Sequence, residues 1–354
     1  MKIVLVTESL GSGGAERQLT GLAAIFARRG AECTVVTWVN KNFYSSFLRE
    51  NNVRHILLHP TGRLDRVKEL ASIFRKEKPD AVISFLPMAN ETCALASLLI
   101  PIKLIVSERS YTTNWGWRRQ FTNLLYRRAA YIVANSNNEA KNIRTHCPIL
   151  ASRTLVIPNY VDINRFTSDI AKIRSDSHIA FVGVGRVIPS KNILNLLRAL
   201  GRLKSDGIEF TFDWYGAIYD TTYVNEVETL VSDLGLQYVF KLRGECKDIE
   251  QAYRDADIMC MPSMLEGYPN VLVEAMASGL PVVVSNVCEH PHIVEDGVNG
   301  FLFDPYDVNA IYASMVKAIK LPPEAKTEMS KANRCKVIEN NSIEAFYNSY
   351  FSLI

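Results

Sequence analysis

Four charged residues stand out by type and spacing. Glu266 and Glu274 stand with seven residues between them in Glu266-Gly-Tyr-Pro-Asn-Val-Leu-Val-Glu274. A carboxylate accepts from paired hydroxyls, which suits recognition of a sugar or a ribose. Pro269 suits the first turn of a helix. Glu266 then falls in the loop before that helix and Glu274 on it, one turn after Asn270. The backbone amides of the loop from Gly267 through Tyr268 to Asn270 add candidate donors. Upstream, Gly185-Arg186-Val-Ile-Pro-Ser-Lys191 places two cations between a strand-like run and a helical one. Two cations beside a helix N-terminus can hold a diphosphate and stabilise it as a leaving group without a metal. Taken singly, each of these residues reads equally well as a capping or solvated charge. The combination of Arg186, Lys191, Glu266 and Glu274 weighs against that plainer reading.

A glycine loop forms a second candidate. Gly11-Ser-Gly13-Gly14 follows the first strand-like run and opens a helix at Ala15. Such a loop can bring backbone N–H groups to a phosphate at a helix N-terminus. It can equally be a tight strand-to-helix turn. The dinucleotide pattern fails here, because Glu16 stands at the third glycine position. The second strand-like run also lacks the acid that would hold a ribose hydroxyl. No Lys-Ser/Thr follows, which excludes a Walker loop.

The elements that must position these residues are legible as alternation. Short runs, apolar at nearly every position, recur at Ile3–Thr7, Thr34–Trp38, His55–Leu58, Ala81–Phe85, Leu104–Ser107, Tyr131–Ala134 and Leu155–Ile157. Helical patterns lie between them. Strands apolar on both faces belong to parallel sheets covered by helices. A polar, turn-rich stretch over 158–177 reads as a linker. A second series follows with strands at Ile179–Val184, Phe210–Trp214, Val239–Leu242, Ile258–Met261 and Val282–Ser285. The expectation is an α/β chain of two Rossmann-like domains, 1–160 and 177–339, with a helix over 340–354 returning to the first. Ligands of such sheets sit beyond the strands' carboxyl ends, so the natural site is the cleft between domains.

Bulk properties agree with an enzyme of this kind. The chain has 354 residues, 48% of them hydrophobic and 22% charged, enough for two cores. A net charge of +3 does not argue for nucleic acid and leaves room for anionic partners. The seven cysteines are scattered singly, with no CxxC pair, which disfavours a zinc ribbon. The cysteine pattern and the strand-like start fit a cytoplasmic location. The longest apolar run, 93–105, is broken by Pro101 and Lys103 and is too short to span a bilayer.

Taken together, these motifs resemble the retaining glycosyltransferases of family 4, which have the GT-B fold. Glu266 and Glu274 look like the family's E-x7-E signature. Gly13-Gly14-Ala-Glu-Arg-Gln18 is similar to its N-terminal glycine loop. Ile157-Pro-Asn-Tyr-Val-Asp162 with Phe166 is similar to its interdomain segment, with Tyr160 where glycine is usual. The resemblance covers nearly the whole chain. It implies that Arg186 and Lys191 bind the donor diphosphate and that Glu274 holds the ribose. It also implies that Glu266 and the Gly267, Tyr268 and Asn270 loop position the sugar, while Gly13 and Gly14 approach from the other domain. It further implies a UDP-linked nucleotide-sugar donor, a glycan or lipid-linked acceptor, retention of configuration and no metal. Glu108-Arg109-Ser110 departs from the family, since many members have histidine there; Glu108 or Arg109 is a candidate at the sugar.

Other features are set aside or left open. Asp255-Ala-Asp257 matches a metal-binding D-x-D pattern but precedes a core strand, so a structural role is expected. His290 and His292 lack a third ligand of matched spacing. Trp115, Trp117, Arg118, Arg119, Arg127 and Arg128 mix aromatics and cations along one helix. Trp117, Phe121, Leu124 and Leu125 fall at core-like spacing, and the remainder could rest on an anionic membrane. A sugar-nucleotide 2-epimerase and a catalytically silent sugar-nucleotide-binding protein are the competing functions.

Overall fold

A computed structural model describes residues 1–110, 112, 115–167 and 178–354. The linker stretch 168–177 lies outside the described residues. The first part of the chain forms β1 (Lys2–Val6), β2 (Ser9–Leu10), α1 (Gly14–Arg28), β3 (Glu32–Thr37), β4 (Val39–Asn42), α2 (Ser45–Glu50), β5 (Arg54–Leu57), α3 (Arg63–Glu77), β6 (Ala81–Phe85), α4 (Pro87–Ala96), β7 (Leu104–Glu108), α5 (Trp117–Tyr126), β8 (Tyr131–Ala134), α6 (Asn137–His146) and β9 (Thr154–Val156). The remainder forms β10 (Ile179–Val184), α7 (Ile193–Ser205), β11 (Phe210–Tyr215), α8 (Thr221–Asp233), β12 (Phe240–Gly244), α9 (Ile249–Asp255), β13 (Ile258–Met261), α10 (Asn270–Ala277), β14 (Val282–Ser285), α11 (His290–Ile293), β15 (Phe301–Phe303), α12 (Val308–Ile319), α13 (Pro323–Asn341) and α14 (Ile343–Phe351).

Two compact units result: Met1–Tyr160 with Ile343–Ile354, and Val161–Ser342. The first holds a parallel seven-stranded sheet in the order β5-β3-β1-β6-β7-β8-β9. The second holds a parallel six-stranded sheet in the order β12-β11-β10-β13-β14-β15. In each, the chain first winds outward one way and then returns to the far side of its starting strand. The reversal lies between β1 and β6 in the first sheet and between β10 and β13 in the second. Such switch points leave a crevice at the carboxyl ends of the two diverging strands.

Local sequence explains the elements. The strands read as continuous apolar runs because helices cover both sheet faces, as the burial of β6 and β13 at every position shows. In α7, Leu196, Leu200 and Leu203 are fully buried on one stripe. Each contributes about 1.5–3 kcal/mol by leaving water. The helix ends before Gly207 at φ +75°. Ser136 caps α6 by accepting from the Glu139 N–H at 3.1 Å.

Several elements escape the periodicity reading: the short β2/β4 pair, α2, α11 and β15. Each is too brief to show a period. A second difference concerns α5. Trp117, Phe121 and Leu124 are 75%, 47% and 56% exposed, and only Leu125 of the expected core stripe is buried. The helix buries its opposite face, with Thr122, Asn123 and Tyr126.

The last helix belongs to the first unit. Phe346, Tyr350 and Leu353 are buried in the core that lines α1. Arg29 pairs with Glu344 and lies over the Tyr347 ring at 3.9 Å. Arg109 Nη1 donates to Asn159 Oδ1 at 2.8 Å, and Nη2 donates to the Tyr350 hydroxyl. Its guanidinium carbon sits 4.2 Å from the Phe85 ring centroid.

Candidate functional site

The site grows from the switch point of the second sheet. After β10, Gly185 leads to Arg186, and a single 3-10 turn, Pro189–Lys191, precedes α7. Lys191 therefore stands before the helix, not on it. Asn192 separates them in the left-handed conformation, φ +58°. Its side chain holds that shape by donating to Pro305 O at 2.7 Å. After β13, the chain runs through Pro262 to Pro269 before α10. The Met264 N–H donates to Ser190 O at 2.8 Å, tying the two loops together.

That tie brings Lys191 Nζ onto Glu266 Oε1 as an ion pair, each side chain 13% exposed. The residues are 75 positions apart in sequence. Glycine makes the space. A Cβ built on Gly185 would lie 3.2 Å from Lys191 Cε. Gly216, at φ +152°, follows β11, and a Cβ there would lie 1.9 Å from Gly185 O. Only glycine permits this approach. Arg186 is exposed at the end of β10.

The rest of the signature loop is more engaged than expected. Glu274 sits in α10, 3% exposed, and is not free. Of the expected loop amides, Pro269 has no N–H, and the Asn270 N–H donates to Tyr268 O at 3.0 Å. The Gly267 and Tyr268 amides remain as candidate donors. The Tyr268 hydroxyl accepts from Asn341 Nδ2 at 2.5 Å, so it anchors the loop to the end of α13. Burial pushes that hydroxyl's pKa up.

Near Glu266, Cys288 and Ser263 escaped the sequence reading, and His290 was weighed there only as a metal ligand. The Glu266 N–H donates to Cys288 Sγ at 3.4 Å, and Cys288 holds φ +50°. His290 Nδ1 lies 2.8 Å from the Ser285 carbonyl, which only accepts, so Nδ1 carries the proton. Its Nε2 is a buried lone pair with no partner among the described residues; Ser263 Oγ is likewise unpartnered. Burial holds the His290 pKa below its ordinary value. The available signal was position: residues 286–290 follow β14, which pairs with β13.

In the first unit, Gly13 is the N-cap of α1 and Gly14 its first residue. A Cβ on Gly13 would lie 2.2 Å from Glu16 Oε2, so this carboxylate folds over the glycine loop. A phosphate at this terminus would have to displace it. Gln18 serves a different end. Its Nε2 donates to Tyr160 O at 2.9 Å, and the Tyr160 N–H donates back to Oε1 at 2.9 Å. Gly21 leaves room for the Tyr160 ring, since a Cβ there would lie 1.8 Å from its hydroxyl oxygen.

Glu108, expected as a candidate at the sugar, is fully buried at the end of β7. Its Oε1 accepts from Arg119 Nη1 at 2.9 Å and from the Tyr126 hydroxyl at 2.5 Å. One carboxylate oxygen thus pins α5 to the sheet. Asp257 Oδ2 accepts from the Ala180 N–H at 2.8 Å, and Asp255 accepts from Gln251. Both aspartates of the D-x-D pattern are taken up within the fold.

Comparison with known proteins agrees with this architecture. A model of the glycosyltransferase family 4 domain matches residues 12–165, and one of the glycosyl transferases group 1 matches residues 166–336. The chain is 25% identical over 351 residues to a lipopolysaccharide core biosynthesis glycosyltransferase of Rhizobium meliloti, covering 97% of this chain and 96% of that one. It is 24% identical to a Campylobacter jejuni alpha-1,4-N-acetyl-D-galactosaminyltransferase named for a PP-undecaprenol-linked acceptor, covering 97% and 92%. Its fold is similar to that of Anabaena HepE, solved in complex with UDP, with TM-score 0.87, 23% identity and 99% of each chain covered. With both family models matched in succession over two parallel-sheet units, the chain belongs to the glycosyltransferases of GT-B fold, a family 4 domain followed by a group 1 domain.

Proposed function

We propose that this glycosyltransferase moves a hexose from a UDP-linked donor to a glycan or lipid-linked acceptor in surface polysaccharide synthesis. The reaction retains configuration, needs no metal and takes place on the cytoplasmic side. The observation that carries the reading is the Lys191–Glu266 pair at the switch point of the second sheet. A mostly buried cation whose one bonded partner among the described residues is a carboxylate can exchange that partner for a diphosphate. Glu266, once released, accepts from sugar hydroxyls. Arg186 adds a second cation at the same strand end.

In the chemical step the bond between C1 and the phosphate oxygen breaks. The acceptor hydroxyl oxygen bonds C1 on the same face, and its proton passes to the departing phosphate. Lys191 and Arg186 stabilise the charge that develops on that phosphate. The acceptor class follows the names of the Rhizobium and Campylobacter relatives.

Thermal shift with UDP, GDP and ADP in EDTA tests the reading. Stabilisation rises with ligand concentration over Kd when only the folded state binds. UDP should raise the melting temperature with EDTA present, and Lys191→Ala should abolish most of that rise. Stabilisation only after metal is restored would overturn metal independence, and GDP preference would replace the donor. Proton NMR of the product from a UDP-hexose reads the anomeric outcome. Formation of an epimer without acceptor would replace transfer by epimerisation.

A further inference from the structure

The outer face of α5 has no counterpart in the donor chemistry. Trp117, Phe121 and Leu124 are spaced i, i+4, i+7 and form one exposed stripe. Arg128, two residues past the end of α5, is also exposed. Arg128 Nη2 donates to Ser97 O at 3.3 Å, which sets the end of α5 beside Leu98 and Leu99. Both of these leucines are 57% exposed. An apolar ridge therefore runs along α5 and on to the end of α4.

Charge around the ridge has one sign. From Trp115 to Ala130 the chain carries four arginines and no carboxylate. Arg119 is turned inward on Glu108. Arg118 and Arg127 are exposed, and Arg118 lies over the Trp117 ring at 5.4 Å. Arg153 joins them by donating to Arg127 O at 3.1 Å. Two carboxylates face α5 and both are engaged: Glu108 by Arg119 and Tyr126, and Glu91 on α4 by Arg63 and Thr122.

We propose that this face docks on an anionic bilayer, with Trp117, Phe121 and Leu124 in the acyl boundary and the arginines at lipid phosphates. Ten residues of helix rise about 15 Å, half of a hydrocarbon core of about 30 Å. The helix therefore lies in the interface rather than crossing it. An apolar stripe with a tryptophan, flanked by arginines, fits the interfacial boundary and the negative lipid surface together. The docking gives the enzyme access to acceptors confined to the same surface. That purpose rests on the lipid-linked reading above, but the surface itself does not.

Flotation of the intact protein on vesicles tests this without any acceptor. Wild type should float with phosphatidylglycerol/phosphatidylcholine vesicles at low salt. Phosphatidylcholine alone, or anionic vesicles in high salt, should carry several-fold less. The triple variant Trp117→Ser, Phe121→Ser, Leu124→Ser should bind roughly tenfold less. Tyr238→Ser, at a 90% exposed position in the second unit, should float like wild type. Unchanged melting temperatures confirm that the variants fold. Triple-variant flotation equal to wild type, or no wild-type flotation on anionic vesicles, overturns the proposal. So does a wild-type dimer by light scattering that the triple variant converts to monomer, since a second copy would then cover the face. UDP-induced stabilisation is read separately, so failure of the donor reading leaves this test intact.

Discussion

Each sheet carries an ion pair at its carboxyl edge, and the two pairs differ in place and in company. Glu108–Arg119 lies one strand away from the first sheet's switch point, with side chains 1% and 9% exposed. Tyr126 donates to the same carboxylate oxygen. Lys191–Glu266 flanks the second sheet's switch point, with both side chains 13% exposed. No other side chain is bonded to either group among the described residues. The first pair is built into the packing of a helix on a sheet. The second joins two loops, so no helix has to leave its sheet for the pair to open. Similar chemistry thus serves architecture in one unit and, in the function proposed above, exchange with an anion in the other.

Glu108→Ala should have the largest effect, because it leaves Arg119 buried without its carboxylate. The expected loss is about 3–5 kcal/mol of stability, read as a lower urea midpoint. A variant of unchanged stability that loses turnover would erase the contrast and return Glu108 to the sugar. Lys191→Ala should do the reverse. It should leave the urea midpoint near wild type while lowering turnover roughly 100-fold, measured with a UDP-sugar. A matching fall in stability would make the second pair architectural as well.

Glu266→Gln sharpens the idea of exchange. It frees Lys191 from its carboxylate, so UDP without a sugar should bind about fivefold tighter by titration calorimetry, a gain on the order of 1 kcal/mol. Transfer should fall at the same time. Weaker UDP binding would show that Glu266 holds Lys191 in place rather than competing for it. The smallest effect concerns pH. Burial lowers the His290 pKa from 6.5. The unfolded state then binds the extra proton, so this contribution is complete above about 6.5 and declines as pH falls below it. A series of melting temperatures from neutral to acid pH should slope downward, and His290→Asn should flatten the slope. His55, also lowered by burial in the first unit, keeps part of the slope in that variant.

The fold class was legible because buried parallel strands leave continuous apolar runs, and β1, β6, β10 and β13 all do. Glu266 and the two cations were legible as loop residues at strand ends, and Glu274 as a residue of the helix that follows. Their pairing was not, since a contact across 75 positions depends on which strands become neighbours. The burial of Glu108 was hidden for a related reason. Its cation arrives from the next helix, and nothing local marks that arginine as inward. On α5 the period showed two faces but not which one meets the sheet. Thr122, Asn123 and Tyr126 face inward, where the carboxylates Glu91 and Glu108 accept from Thr122 and Tyr126, and three apolar residues remain outside. The Gln18–Tyr160 clasp left no local trace either, since it joins a helix to a segment 142 residues later.

The return of α14 to the first unit has a consequence for synthesis. A ribosome delivers residues 1–160 first, but Phe346, Tyr350 and Leu353, which complete their core, come last. At 5–20 residues per second, the gap between Tyr160 and Tyr350 lasts roughly 10–40 s. Through that interval the Arg109 guanidinium lacks the tyrosine hydroxyl that will accept from it, and the aromatic box around it is open. The unit over 161–342 is contiguous and needs nothing from later in the chain to close. The half translated second is thus the first able to finish folding, and the nascent N-terminal half must wait, partly open, for residues 343–354.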